Sequence, residues 1–219
     1  MIRQFVSYPK SGRTWIRYIL VQLGFEHHII FHHDTFEFND GNCPPHNFDI
    51  NQRLLQTSIT IDKLVYLERD PRDVIVSLYF QVTGRFKDFY NYQGNISQFI
   101  RDDYFGAYNL HKFREMWTCI AKKNNYLVVS YEECHQNMFE VLSKILDYYV
   151  LSFNPQNLVQ AIENAEFSRM KQLEKSEQFP HPWLRPRQGS PKVRLGKVGG
   201  FRLTLDEDDI CYLNNIFKM

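Results

Sequence analysis

The sequence predicts an α/β fold, a three-layer sandwich in which a central, mostly parallel sheet carries helices on both faces. Three observations predict it. Strand-like and helix-like runs alternate along most of the 219 residues, the pattern of βαβ units. Loops rich in charged residues, Pro and Gly follow the strand ends, where open parallel sheets bind ligands. The first strand also runs through Pro9-Lys10-Ser11-Gly12-Arg13-Thr14 directly into a helix, a P-loop-like strand-loop-helix. No repeat, low-complexity tract or linker divides the chain, so a single domain over residues 1–219 is expected.

Each element has its own signal. Arg3 to Tyr8 is a short β-rich run, and Lys10 to Gly12 a turn. Thr14 to Leu23 places Trp15, Ile19, Leu20 and Leu23 at the helical period, with Gly24 as the stop. His28 to Phe31 is a second strand, and Asp34 to Asn51, rich in Asn, Asp, Gly and Pro, a long loop. Lys63 to Glu68 is a third strand; it enters Asp70-Pro71-Arg72-Asp73 and an apolar helix through Phe80. Leu110 to Lys122 reads as a helix, Tyr126 to Ser130 as a strand, Met138 to Tyr149 as a helix, and Asn154-Pro155 opens another through Ala165. From Phe179 to Phe201 prolines and glycines mix with Arg185, Arg187, Lys192, Arg194 and Lys197, and Arg202 follows. Such a stretch is either a solvated loop or a lid over a polyanion.

Composition narrows the function. Hydrophobic residues make up 43% and charged ones 23%, ordinary for a globular protein. The net charge of +1 argues against nucleic-acid binding through a broad basic surface, so any anion must be met by a few placed cations. Aromatic residues reach 16%; they serve a core or a ring-stacking pocket. Cys43, Cys119, Cys134 and Cys211 form no C-x-x-C pair, which is poor for zinc or a disulfide framework and fits reduced thiols. There is no charged leader with an apolar segment behind it, and apolar runs such as Val74-Ile75-Val76 are too short to span a bilayer. A cytoplasmic protein with no membrane span and no bound metal is expected.

Three segments carry the chemistry. In the first, a helix N-terminus offers unpaired N–H groups and partial positive charge, Gly12 permits close approach of an anion, Ser11 and Thr14 add hydroxyls, and Lys10 adds a charge. The Walker A spacing is absent, because the lysine precedes the glycine and no glycine opens the loop. In the second, Arg69 ends the third strand and Ser77 lies one turn beyond Asp73, which is placed to cap the helix; Arg69 and Ser77 would fork a second phosphate, unless the arginine only pairs with Asp70 or Asp73. The third, Lys192 to Phe201, could wrap a phosphate with backbone amides and Arg194.

Taken together, these segments resemble the motifs of the PAPS-dependent sulfotransferases, in the family's order. The 5′-phosphosulfate loop Y-P-K-S-G-T-T-W is matched at Tyr8, Pro9, Lys10, Ser11, Gly12, Thr14 and Trp15, with Arg13 replacing the first Thr. The 3′-phosphate motif R-[ND]-P-R-D-x-x-V-S is matched at Arg69, Asp70, Pro71, Arg72, Asp73, Val76 and Ser77. The lid R-K-G-x-x-G-D-W is matched at Arg194, Gly196 and Gly199, and departs at Leu195, Gly200 and Phe201. Val129-Ser130-Tyr131-Glu132-Glu133 is similar to the strand-end Y-E-D, and Phe167-Ser168-Arg169-Met170 to S-F-x-x-M, which would sandwich the adenine between Trp15 and Phe167.

The resemblance implies a mechanism: in-line transfer of a sulfuryl group from 3′-phosphoadenosine-5′-phosphosulfate (PAPS) to a hydroxyl or amine of a small-molecule acceptor, leaving adenosine 3′,5′-bisphosphate (PAP). Lys10 is the expected catalytic cation, and the PAPS site comprises Lys10, Ser11, Gly12, Arg13, Thr14, Trp15, Arg69, Ser77, Tyr131, Phe167, Arg194, Leu195 and Gly196. The family's K-[ST]-H base segment is missing; Gln56-Thr57-Ser58 stands near its place. His33, beside Asp34, is the chosen general base, with His32, Asp34 and His46 as rivals and Glu37 beyond. Aromatic stretches at Tyr79-Phe80, Phe86 to Tyr92 and Phe99 to Tyr108 would line an acceptor pocket or fill the core. The K-x-x-x-T-V-x-x-x-E dimerisation motif is absent, which leaves the oligomeric state open. A nucleotide kinase-like enzyme or a non-catalytic nucleotide-binding module is the alternative.

Overall fold

Among the described residues, four short strands form the middle layer. They are β1 (Arg3–Ser7), β2 (Ile30–His32), β3 (Lys63–Glu68) and β4 (Leu127–Ser130), in the order β2-β1-β3-β4 and all parallel. The computed structural model describes residues 1–38, 62–176 and 181–219. His46, Gln56-Thr57-Ser58 and the end of the expected Asp34–Asn51 loop lie outside the described residues.

Parallel strands must be covered on both faces, and the alternation along the strands shows how. Val6, Leu64 and Tyr66 turn to one core, and Phe5, Val65 and Leu67 to the other. On the first face lie α2 (Pro71–Phe80), the short helices α3 (Lys87–Tyr90) and α4 (Ile96–Ile100), α5 (Ala107–Asn124) and α10 (Glu207–Phe217). On the second lie α1 (Arg13–Gln22), α7 (Met138–Tyr148), α8 (Pro155–Asn164) and α9 (Phe167–Lys175). The one-turn-plus α6 (Tyr131–Gln136) follows β4 directly. This is the expected three-layer sandwich.

The order also fixes where a ligand can enter. From β1 the chain goes to β2 on one side, and β3 then lies on the other side of β1. The loops after β1 and β3 therefore part at this switch point and leave a crevice above the strand ends.

Local chemistry explains the boundaries that differ from expectation. Strand β2 begins at Ile30, because residues before it form a turn closed by His28 N–H on the Phe25 carbonyl at 3.1 Å. The cap of α2 is Asp70, which accepts from Arg72 N at 2.9 Å; Pro71 takes the first helical position, where a missing N–H costs nothing. Asp73 is thus not the cap. Ser130 and Glu133 form a reciprocal capping box that starts α6, a helix too short to show a period. Asp206 caps α10 by accepting from Asp209 N at 2.8 Å, with three acidic residues in the first turn.

The aromatic segments divide cleanly. Phe99 and Phe105 stack at 5.3 Å within the first core, joined there by Phe36, Phe38 and Phe113 around Tyr8. No helix among the described residues is long and apolar enough to cross a membrane.

Candidate functional site

A strand that must turn into a helix within five residues needs left-handed backbone. Lys10 takes φ 75° and Gly12 φ 100°, and Ser11 N–H closes the turn on the Tyr8 carbonyl at 3.3 Å. Gly12 is required twice over. Its φ suits a residue without Cβ, and a Cβ there would stand 2.4 Å from the Tyr131 ring. Gly12→Ala is therefore expected to destabilise the fold by about 1–3 kcal/mol and to push Tyr131 off the loop. Thermal unfolding with and without PAP checks this, and an unchanged midpoint in both would contradict it.

The loop forms one wall of a cavity of about 430 Å³, within the ~300–1,000 Å³ of ligand sites. Lys10, Gly12, Arg13, Thr14 and Trp15 line it from the β1 end, and Arg69 and Ser77 from the β3 end. Tyr131, Phe167, Arg194, Leu195 and Gly196 complete the predicted set. Ser11 is the exception: it is buried and is not among the lining residues. Trp15 sits against His135 at 4.9 Å and Tyr131 at 5.8 Å, and the Phe167 ring lies against Gly196 closely enough that a Cβ would stand 2.3 Å away.

The basic C-terminal stretch is a strap over this cavity rather than a free loop, and two buried carboxylates pin it. Asp73 of α2 accepts from Gly199 N and Phe201 N, each at 2.8 Å. Glu174 of α9 accepts from Lys192 N and, at 3.0 Å, from Val193 N. Arg69 ties the same parts together. Its guanidinium donates to the Lys10 carbonyl at 3.0 Å and the Lys197 carbonyl at 3.1 Å, lies 3.5 Å from Asp73, and stacks over Tyr131 at 4.1 Å. Phe201, where the resembling motif has Trp, is buried with Arg72 and Arg202 over its ring at 4.3 and 4.6 Å.

Positive charge is crowded here. Burial holds the Lys10 ammonium well below the usual lysine range, and Lys192, Arg85, Arg69 and Arg194 push the same way. Its Nζ donates to Gln81 Oε1 at 3.0 Å. Burial likewise draws Lys192 down to about 7 and Arg13 to about 9, so Arg13 stays charged at neutral pH. A cavity that stores this repulsion is built for a polyanion.

The histidines next to β2 separate by geometry. His33 lines the cavity, and its Nδ1 lies 2.7 Å from the Ser7 carbonyl. A carbonyl only accepts, so Nδ1 carries the hydrogen and Nε2 of the neutral ring is left as an acceptor. Burial, together with nearby Arg13, holds this ring well below the usual histidine range. His32 has both ring nitrogens engaged, Nδ1 accepting from Asp34 N at 3.2 Å and Nε2 on Gln4 Oε1 at 3.0 Å. Asp34 accepts from the Trp117 indole at 3.1 Å. Neither lines the cavity. Ser7, not Asp34, orients His33, while Glu37 lines the cavity and accepts from His33 N at 3.2 Å.

Several lining residues escaped the sequence reading. Gln81 and Arg85 sit on a π-turn, Gln81–Arg85, that ends α2; such insertions often mark functional positions, but the sequence shows no sign of one here. Arg17, one turn after Arg13, was legible as the same helix face. Trp183 and Arg187 come from the irregular segment before the strap.

Comparison with known proteins accords with this architecture. A family model described as "Sulfotransferase domain" matches residues 5–219. Human sulfotransferase 2B1 is 30% identical over 197 residues, 76% of this chain and 51% of that protein, so the chain spans about half of its length. Luciferin sulfotransferase of Photinus pyralis is 25% identical over 252 residues, 92% of this chain and 66% of its own. Among solved structures, a mouse sulfotransferase complexed with PAP superposes with TM-score 0.68 at 17% identity, covering 99% of this chain and 82% of that one. Retinol dehydratase in a complex with retinol and PAP gives TM-score 0.67 at 17% identity, covering 100% and 81%. On the family match over nearly its whole length, this chain belongs to the sulfotransferase-domain family.

Proposed function

We propose that this chain is a single-domain enzyme that transfers a sulfuryl group from PAPS to a hydroxyl or amine of a small-molecule acceptor. The observation that carries this reading is the Lys10 ammonium, enclosed beside Gln81 and raised in energy by four neighbouring cations. The repulsion is relieved when a polyanion is bound, and most relieved where negative charge grows. PAP-bound relatives, and others whose names specify small-molecule acceptors, support the donor and acceptor classes.

PAPS as co-substrate supplies the activated sulfuryl group and a bisphosphate leaving group. The amides at the start of α1, the Thr14 hydroxyl and Arg13 meet the 5′ end, while Arg69, Ser77 and Arg194 meet the 3′-phosphate. Trp15 and Phe167 hold the adenine, with Tyr131 beside them. Lys10 neutralises charge building on the oxygen that leaves the sulfur. His33 Nε2 takes the acceptor's proton, its ring held by Ser7. The donor's negative charge is met by cations and amides, so turnover is expected without Mg²⁺. The free thiols of Cys119, Cys134 and Cys211 suit a reducing, cytoplasmic setting.

Calorimetric titration with PAP and transfer from labelled PAPS across phenols, alcohols, sugars and amines, in EDTA, test the reading together. PAP at about 100 times its Kd should raise stability by about 2.7 kcal/mol, and label should appear on at least one acceptor. Absence of PAP binding would overturn the donor assignment; PAP binding with no transfer to any class would favour a non-catalytic module.

A further inference from the structure

Position 13 is where the phosphosulfate loop departs from the motif it resembles, with arginine in place of threonine. Arg13 opens α1 and lines the cavity, and its Nη1 is buried without an acceptor. A buried donor of a charged group is costly to leave unmet. One that stands on a cavity wall marks the place of a ligand oxygen.

The surroundings of Arg13 say which oxygen. Its charge acts on His33 and on Lys192. Lys192, also on the cavity wall, acts in turn on both His33 and Lys10. Arg13 thus faces the space between the base and the cation assigned to the departing oxygen. The charges that act most on Arg13 itself are Arg17 and Glu37, which lie away from the 3′-phosphate side, where Arg69 meets Asp73. Glu37 opposes the guanidinium but leaves Nη1 without an acceptor, and its Oε1 accepts from His33 N. Arg17, one turn along α1, lies over Trp183 at 4.8 Å and Phe31 at 5.4 Å, so folding back along the helix would bring Arg13 onto a like charge. The 5′-phosphate is already provided for by the free N–H groups at the start of α1 and by the Thr14 hydroxyl. What remains for Arg13 is the group beyond that phosphate.

We propose that Arg13 is a further catalytic residue, whose Nη1 donates to the sulfuryl oxygens and holds that group in line between Lys10 and His33 Nε2. In the transfer the bond from sulfur to the 5′-phosphate oxygen breaks, and its electron pair stays on that oxygen beside Lys10. The acceptor oxygen or nitrogen bonds to sulfur, and its proton goes to His33 Nε2. The three outer sulfuryl oxygens keep their bonds throughout, so Arg13 orients the group and gives up no proton. The inference rests on the sulfuryl-transfer reading, and it assigns the one loop position at which this chain differs from the resembling motif.

Calorimetric titration with PAPS and with PAP, without acceptor, tests the assignment, because PAP has both phosphates and no sulfuryl group. Arg13→Gln should weaken PAPS binding by about tenfold, the loss of one charge-assisted contact, and leave PAP within about twofold. Single-turnover transfer at saturating PAPS, to the acceptor that the unchanged protein labels best, should fall by about 10²-fold, the cost of a misplaced reacting group. Arg13→Lys keeps the charge and loses the planar fork, so it should restore PAPS binding in part and transfer little. Glutamine and lysine are both good helix formers, so α1 is kept in each variant. Equal weakening of PAP and PAPS would return Arg13 to the phosphate and overturn the proposal, as would full transfer by Arg13→Gln. Failure of the unchanged protein to bind PAP or to transfer label is failure of the sulfuryl-transfer reading itself, and it is seen before any variant is compared.

Discussion

Replacing Lys10 by Ala is expected to lower turnover by about 10²-fold or more, equivalent to some 2.7 kcal/mol of barrier, while the protein folds at least as stably. Both halves follow from one arrangement. The Lys10 amine is buried, bonded to Gln81, and surrounded by Arg69, Arg85, Arg194 and Lys192, so in the empty protein holding its proton costs stability. Removing the charge relieves that cost and removes the group that meets charge on the departing oxygen, the familiar trade between stability and activity at strained sites. The lowered ammonium pKa adds a pH signature. Between that lowered value and the ordinary lysine value the unfolded chain holds a proton the folded chain has lost. Stability should therefore rise with pH across that window, and Lys10→Ala should abolish the rise. Single-turnover transfer from PAPS and thermal unfolding at several pH values measure the two halves. Undiminished turnover, or a large loss of stability, would contradict the assignment.

The strap adds a mechanical side to the same chemistry. Arg69, expected as a phosphate ligand, also bonds the Lys10 and Lys197 carbonyls, and Asp73 holds Gly199 and Phe201. The loop after β1, the loop after β3 and the C-terminal stretch are thereby one connected unit at the switch point of the sheet. A change in Arg69 loosens all three at once, so its loss should affect binding more than the loss of one ion pair would.

How much of this was legible depended on distance along the chain. The turn from β1 into α1 is local: Gly12, the preceding Lys10 and the helix behind them are adjacent, and the sheet follows from strands alternating with helices. Asp73 shows the limit. Sequence placed it one turn before Ser77 as a cap, but Pro71 fixes the cap at Asp70, and the carboxylate that remains reaches a backbone 126 residues away. Glu174 and Gln81 were invisible for the same reason, since nothing near them in sequence indicates that they meet Lys192 and Lys10. The aromatic segments kept two meanings until packing sorted Phe99 and Phe105 into the core and Phe86 onto the cavity. Among the candidate bases, sequence left His33, His32, Asp34 and His46 open, with Glu37 beyond. Hydrogen bonding to Gln4 and Asp34 then distinguishes His32 from its neighbour.

His33→Ala is expected to lower turnover by about 10²-fold and to leave PAP affinity within about twofold. A base acts on the acceptor and makes no contact with the nucleotide, so the two measurements should divide. Glu37 supplies the control: it lines the same cavity and holds the His33 amide, so Glu37→Gln tests whether the carboxylate is the base instead. Loss of turnover in Glu37→Gln with full turnover in His33→Ala would transfer the role to Glu37. The pH profile carries independent information, because burial and Arg13 hold His33 well below the ordinary histidine value. Protonation removes the Nε2 lone pair, so turnover should survive as pH falls through about 6.5, where a free histidine charges, and fail only at lower pH. The unfolded chain takes up the proton first, so stability should begin to fall as pH drops below about 6.5, before turnover fails, and level off once the folded ring is protonated as well. Binding of the donor adds negative charge close to the ring, which favours the protonated form. The apparent pKa for turnover at saturating PAPS should then lie above that of the free enzyme. A profile already falling at neutral pH without donor, or one unchanged in His33→Ala, would rule the residue out as the base.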